Sequence, residues 1–186
     1  MQPIHHPAGG DLTALHLECI KQSVLDTFNA ISGEELLFLG INNNGYHHKT
    51  EGLIGIISIV GDISWSITLG LPRNTIVSLG PKFAGFEIHY SSDDMGDLVG
   101  ELTNIVAGDI LARLDAIGVS ANMSLPTVAR GSDLELFSPA RPSSMIMAFS
   151  TENMELWLKV AAGQSIGIAR ACIFSPNGFG NEADSK

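Results

Sequence analysis

The chain has 186 residues, 45% of them hydrophobic, and a formal charge of −10. That length and composition suit one compact domain with a real core rather than two thin ones. The acidity argues against binding a nucleic-acid backbone, which needs Lys and Arg on its phosphates, and against docking on an anionic membrane.

The first ten residues, MQPIHHPAGG, read as a leader without the basic start and apolar core of a signal peptide. The longest apolar run, LIGIISIV, is too short to cross a bilayer, so a cytoplasmic protein is expected. Cys19 and Cys172 lie far apart in no metal-like spacing and are expected to be buried free thiols. Residues 11–32 predict a helix with Leu12, Leu15, Cys19, Ile20, Leu25 and Phe28 on one face, stopped by Gly33. A strand is expected over ELLFLGI (35–41), then a polar loop, NNNGYHHKT (42–50), with turn chemistry at Asn44-Gly45.

LIGIISIV (53–60) and ISWSITLGL (63–71), joined by Gly61-Asp62, read as a β-hairpin. After Pro72, RNTIVSLGPKFAGF predicts a shorter helix at least as far as Pro81. A long helix follows, capped by Ser91, Ser92 or Asp93. Strands are expected over 122–129, 144–150 and 154–161, with GQSIGIARACIF as a possible further one. NGFGNEADSK (177–186) reads as a polar tail, leaving 11–176 as a single domain. Hairpin strands with helices collected elsewhere predict an α+β, two-layer fold whose sheet is largely antiparallel with helices packed on it.

The long helix contains GDLVGELTNIVAGDILARLDAIG (96–118), in which Asn104 and Gly108 are poor helix formers. At about 100° per residue, Asp97, Glu101, Asn104 and Gly108 share an arc of roughly 60°. Asp93, Asp94 and Asp115 fall on or near that side, while Leu98, Val99, Leu102, Ile105, Val106, Ile110 and Ile117 should face the core. A solvated face explains Glu101 but not Asn104 and Gly108, because exposed helix positions gain from Ala, Lys or Glu. Gly108 flattens the surface beside the amide, so that another backbone could come close. A carboxamide takes no proton near neutral pH, yet it donates and accepts at once and so can hold a water. Orienting a water for in-line attack at phosphorus is a known use of such a group. With no second acidic cluster to hold a metal, the phosphoryl group and its cation would arrive on a partner.

Asp97-x3-Glu101-x2-Asn104, with Pro126 twenty-two positions after Asn104, resembles the signature of the CheC/CheX/FliY phosphatases of bacterial chemotaxis. The likeness extends through GELTNIVAGDILARLDAIG into SLPTVARG, and GIISIVGDISWSITLGLP looks like that family's central hairpin. It is strong over 97–131 and weaker over the rest of 11–162. The resemblance implies hydrolysis of the aspartyl phosphate of a CheY-like receiver domain. Asn104 would orient the water, Glu101 would dock the receiver's Lys, Asp97 would support the face, and Pro126 would shape the adjoining strand. It also implies no cofactor of the chain's own, Mg2+ supplied by the receiver, and a CheX-like homodimer with one site per chain. The alternative is a non-catalytic module of the same fold that binds a receiver or the flagellar switch.

The first helix offers Asp26-x2-Asn29, but the supporting acid and the distant Pro are absent, and Leu25 and Phe28 suggest core packing. Gly163-x-Ser165-x-Gly167 matches a nucleophile elbow, yet no His follows the Ser, which sets a serine hydrolase aside. His5-His6 and His47-His48 lack a third metal ligand at a convincing spacing, and His16 and His89 read as structural. No glycine-rich phosphate loop is present. Trp65, Trp157, Met145 and Met147 are expected to fill the core or a dimer sheet.

Overall fold

Thr13 opens the first helix, its hydroxyl accepting from the His16 amide at 3.2 Å while His16 Nδ1 accepts from the Thr13 amide at 3.3 Å. This reciprocal cap satisfies donors that a first helical turn leaves free. The computed structural model describes residues 12–42, 51–132 and 143–163. Helix α1 (Ala14–Ser32) ends at Gly33, whose left-handed backbone (φ 68°) suits a residue without a Cβ. Strand β1 (Leu37–Asn42) follows, then the hairpin of β2 (Gly52–Gly61) and β3 (Ser64–Pro72). Next come α2 (Arg73–Ala84), α3 (Asp93–Ala116), β4 (Ala121–Met123), β5 (Thr127–Gly131), β6 (Ser143–Ser150) and β7 (Glu155–Ala162).

The strands form one sheet in the order β1-β6-β7-β3-β2-β4, with β5 also paired to β2. Every pairing is antiparallel. Alternation along the strands sends Leu53, Ile57 and Ile59 of β2, Trp65, Ile67 and Leu69 of β3, and Leu158 and Val160 of β7 to one buried face. Ile20, Val24 and Phe28 of α1, Ile76 and Leu79 of α2, and Leu98, Leu102, Val106 and Ile110 of α3 complete this core. Full burial of each such aliphatic or aromatic side chain contributes about 1.5–3 kcal/mol. The result is the two-layer α+β arrangement expected from sequence.

Some details sharpen that expectation and others depart from it. The run 122–129 is two strands, because Pro126 has no N–H for the ladder with β2. At the break, Ser58 and Ser124 take over: the Ser124 amide donates to the Ser58 carbonyl at 2.9 Å, and the Ser58 amide donates to the Ser124 hydroxyl at 3.1 Å. Helix α2 continues through Pro81 to Ala84 and stops at Gly85, whose amide donates to the Pro81 carbonyl at 2.9 Å. Ser92 caps α3, accepting from the Met95 amide at 3.4 Å. Ile105, expected in the core, is 37% exposed.

Cys19 is a free thiol but only half-buried, not buried; burial pushes its pKa up. Trp65 and Met147 are core residues, whereas Trp157 and Met145 are half-buried. His16 is buried against Trp65, with ring centroids 5.2 Å apart. His89 is exposed and holds the Ser91 hydroxyl at 2.8 Å through Nδ1. The leader 1–10, the loop 43–50, Cys172, the Ser165 motif and the tail 177–186 lie outside the described residues.

Candidate functional site

Helix α3 is held rigidly on its inner face. Leu102, Val106 and Ile110 are fully or almost fully buried, and the Thr103 hydroxyl donates to the Val99 carbonyl at 2.7 Å. Opposite Thr103 lies Gly55 of β2, where a Cβ would overlap the Thr103 hydroxyl, so the helix settles close on the sheet. That placement fixes which side of α3 faces outward.

The outward side forms one wall of a groove of about 640 Å³, made by Asp93, Gly96, Asp97, Gly100, Glu101 and Asn104. The other wall is Leu53 of β2 with Pro126, Val128 and Arg130. The walls are in near contact at Gly100, where an added Cβ would sit 3.7 Å from Val128 and 3.8 Å from Pro126. Asp97 and Glu101 are exposed and Asn104 is half-buried. Among the described residues, no hydrogen bond or ion pair engages the side chains of Asp97, Glu101 or Asn104. An unpaired carboxamide one turn from an unpaired carboxylate, in an open concavity, can receive a water and a cation from elsewhere.

The sequence-predicted set is therefore largely assembled. Asp97, Glu101, Asn104 and Pro126 share the groove, as does Asp93. Gly108 lies one turn further along, outside the lining, where an added Cβ would meet nothing within 4 Å. Asp94 and Asp115 are exposed and do not line the groove. Sequence reading passes over Leu53, Val128 and Arg130. The signal for Arg130 is its alternation with Val128, which puts both on one face of a strand. Among the described residues, no three His, Cys, Asp or Glu side chains are grouped to hold a metal. No helix among them is long and apolar enough to cross a membrane.

Comparison with known proteins extends the picture. Residues 53–150 match the family model described as "Chemotaxis phosphatase CheX", a span from β2 to β6 that includes both groove walls. The chain belongs to the chemotaxis phosphatase CheX family. Over 115 residues it is 28% identical to the CheY-P phosphatase CheX of Thermotoga maritima, covering 61% of this chain and 74% of that protein. A CheC-like superfamily protein from Shewanella sp. PV-4 shares the fold with a TM-score of 0.74 at 22% identity, over 82% of this chain and 99% of that one. The CheX–CheY–BeF3–Mg2+ complex from Borrelia burgdorferi contains the same fold, with a TM-score of 0.67 at 17% identity, over 79% of this chain and 97% of that one. The CheX family assignment and the largely antiparallel sheet with its packed helices agree with the resemblance read from the sequence.

Proposed function

We propose that this CheX-family chain is a phosphatase that hydrolyses the aspartyl phosphate of a CheY-like response regulator. The observation that carries the reading is the free Asn104 carboxamide in an open groove, one turn from the free Glu101 carboxylate. The relatedness to a CheY-P phosphatase and the shared fold of a CheX–CheY complex support the choice of partner.

In this reading Glu101 takes the ammonium of the receiver's Lys and brings the phosphoryl group against α3. Asn104 then holds a water through both ends of its amide, on the line opposite the P–O bond to the aspartyl oxygen. The water oxygen bonds to phosphorus, the acyl-phosphate bond breaks, and the receiver's carboxylate and inorganic phosphate leave. Mg2+, carried by the receiver, stabilises charge on the phosphoryl oxygens. Asp97 and Pro126 shape the two walls, and the bare surface at Gly108 admits the partner's backbone. The protein acts in the cytoplasm without a cofactor of its own.

We assign it a homodimeric state as well. Leu37, Leu39 and Ile41 of β1, an end strand of the sheet, are 55%, 62% and 45% exposed. The bulge at Leu39 breaks the alternation there, and pairing of that edge with a second copy would cover part of this exposed apolar surface.

The test is the decay of a phosphorylated receiver with and without the protein. Acceleration is expected, and Glu101→Ala should raise the receiver concentration needed for half-maximal rate without lowering the saturated rate. Tight receiver or switch binding with no acceleration would favour the non-catalytic module instead.

A further inference from the structure

The groove's far wall is not simply leaned against α3; it is tied to the turn that starts it. Arg130 of β5 donates from Nη1 to the Ser91 carbonyl at 2.9 Å and from Nη2 to the Ser92 carbonyl at 2.5 Å. Ser92 is the N-cap of α3, and its hydroxyl also donates to the His89 carbonyl at 2.8 Å. One planar guanidinium thus spans two consecutive carbonyls, a geometry that two parallel donors set and a single ammonium cannot reproduce. Beneath it lies the buried ring of Tyr90, with the Arg130 guanidinium carbon 5.6 Å and that of Arg73 4.5 Å from its centroid. Arg73 is itself anchored, its Nη1 2.7 Å from the Glu51 carboxylate. The clasp is solvent-exposed, and the buried Tyr90 ring braces it from beneath.

We infer that Arg130 is a positioning residue, a guanidinium clasp that fixes the groove's width by holding β5 to the first turn of α3. Asp93 and Asp97 lie on the first two turns of that helix, before Gly100, so they inherit its position. Midway along, the wall already approaches Gly100 through Val128 and Pro126, without a polar bond. Arg130 closes the open end. Its loss lets the helix start move away from β5, and the acidic rim of Asp93 and Asp97 then meets the docking partner at a less favourable distance. Glu101 and Asn104, beyond the Gly100 contact, keep their place. The effect falls on docking, not on the chemical step. This inference rests on the phosphatase reading for its kinetic consequence but not for the clasp itself.

The experiment pairs two readouts on the whole chain. Hydrogen exchange of Arg130→Met is expected to quicken at the second-turn amides of α3, residues 97–100, whose acceptors are the first-turn carbonyls, with the amides of β3 and β7 unchanged. In the phospho-receiver assay, Arg130→Met should raise the half-saturating receiver concentration roughly tenfold, as loss of charge-assisted hydrogen bonds does, with the saturated rate within about twofold. Arg130→Lys, which can reach one carbonyl only, should fall between, and it serves as the working variant should Arg130→Met fold poorly. Unchanged exchange at the second-turn amides of α3 in both variants overturns the clasp. Unchanged half-saturation with an active wild type, or a saturated rate that falls in step, overturns its role in docking. An inactive wild type would instead remove the phosphatase reading and leave the exchange experiment to decide the clasp.

Discussion

Two helices of this protein carry an acid three residues before an asparagine, and they put the pair to opposite uses. In α1, Asp26 lies 2.6 Å from Arg113 and accepts from Gln22 at 2.8 Å. Asn29 accepts from the Leu36 amide at 2.7 Å through Oδ1, stitching the helix end to the segment entering β1. Both groups are spent on structure. In α3, Glu101 and Asn104 have the same spacing, yet no group among the described residues pairs with either. The spacing i, i+3 guarantees only that two side chains share a helix face. What that face meets decides the chemistry: an Arg and a chain end for α1, a groove for α3.

The contrast yields graded expectations for stability. Asn29→Ala has the largest effect, since it leaves the Leu36 amide, beside a buried side chain, without its acceptor, at about 1–3 kcal/mol. Urea unfolding checks this, and phospho-receiver turnover below the unfolding transition should not change. Gly108→Ala should act in the other direction, stabilising α3 by roughly 0.8–1 kcal/mol, because an added Cβ meets no neighbour. A receiver titration of the same variant sharpens the comparison: it should bind its partner less well while melting later.

Glu34→Gln gives the smallest effect and the only pH-dependent one. Hydrogen bonds from Lys82 and then Thr151 hold the Glu34 carboxyl below its ordinary range. A carboxylate whose pKa is lowered by folding contributes stability above its unfolded pKa and loses it as pH falls through the folded one. The melting temperatures of wild type and Glu34→Gln should therefore differ at neutral pH and converge in acid, below the usual glutamate range. A constant difference across that range would contradict the assignment.

Much of this arrangement is legible in the sequence because it is local. The Gly33 stop of α1, the cap of α3, the β2–β3 hairpin and the polar stripe of α3 follow from neighbours within a few residues. Asn104 and Gly108 stand out for the same reason, as poor helix formers in a strong helix. What escapes is set by long-range contact. Ile105 fits the apolar stripe, yet it lies beside Glu101 on the helix and emerges half-covered. Pro126 splits an apparently continuous strand because of the ladder it cannot join with β2, seventy residues away in the chain. Arg130 finds the Ser91 and Ser92 carbonyls only once β5 is laid beside α3, and no pattern around position 130 announces two carbonyl partners. Nor does any local signal insert β6 and β7 between β1 and β3.

The central claim is that the Asn104 amide acts on a reaction whose other parts belong to a partner. Its most direct test is the decay rate of a phosphorylated receiver saturated with Asn104→Ala, beside receiver binding by the same variant. An orienting group contributes mainly in the transition state, so the saturated rate should fall by at least about 100-fold while binding stays within about twofold. Equal rates for wild type and Asn104→Ala would contradict the account.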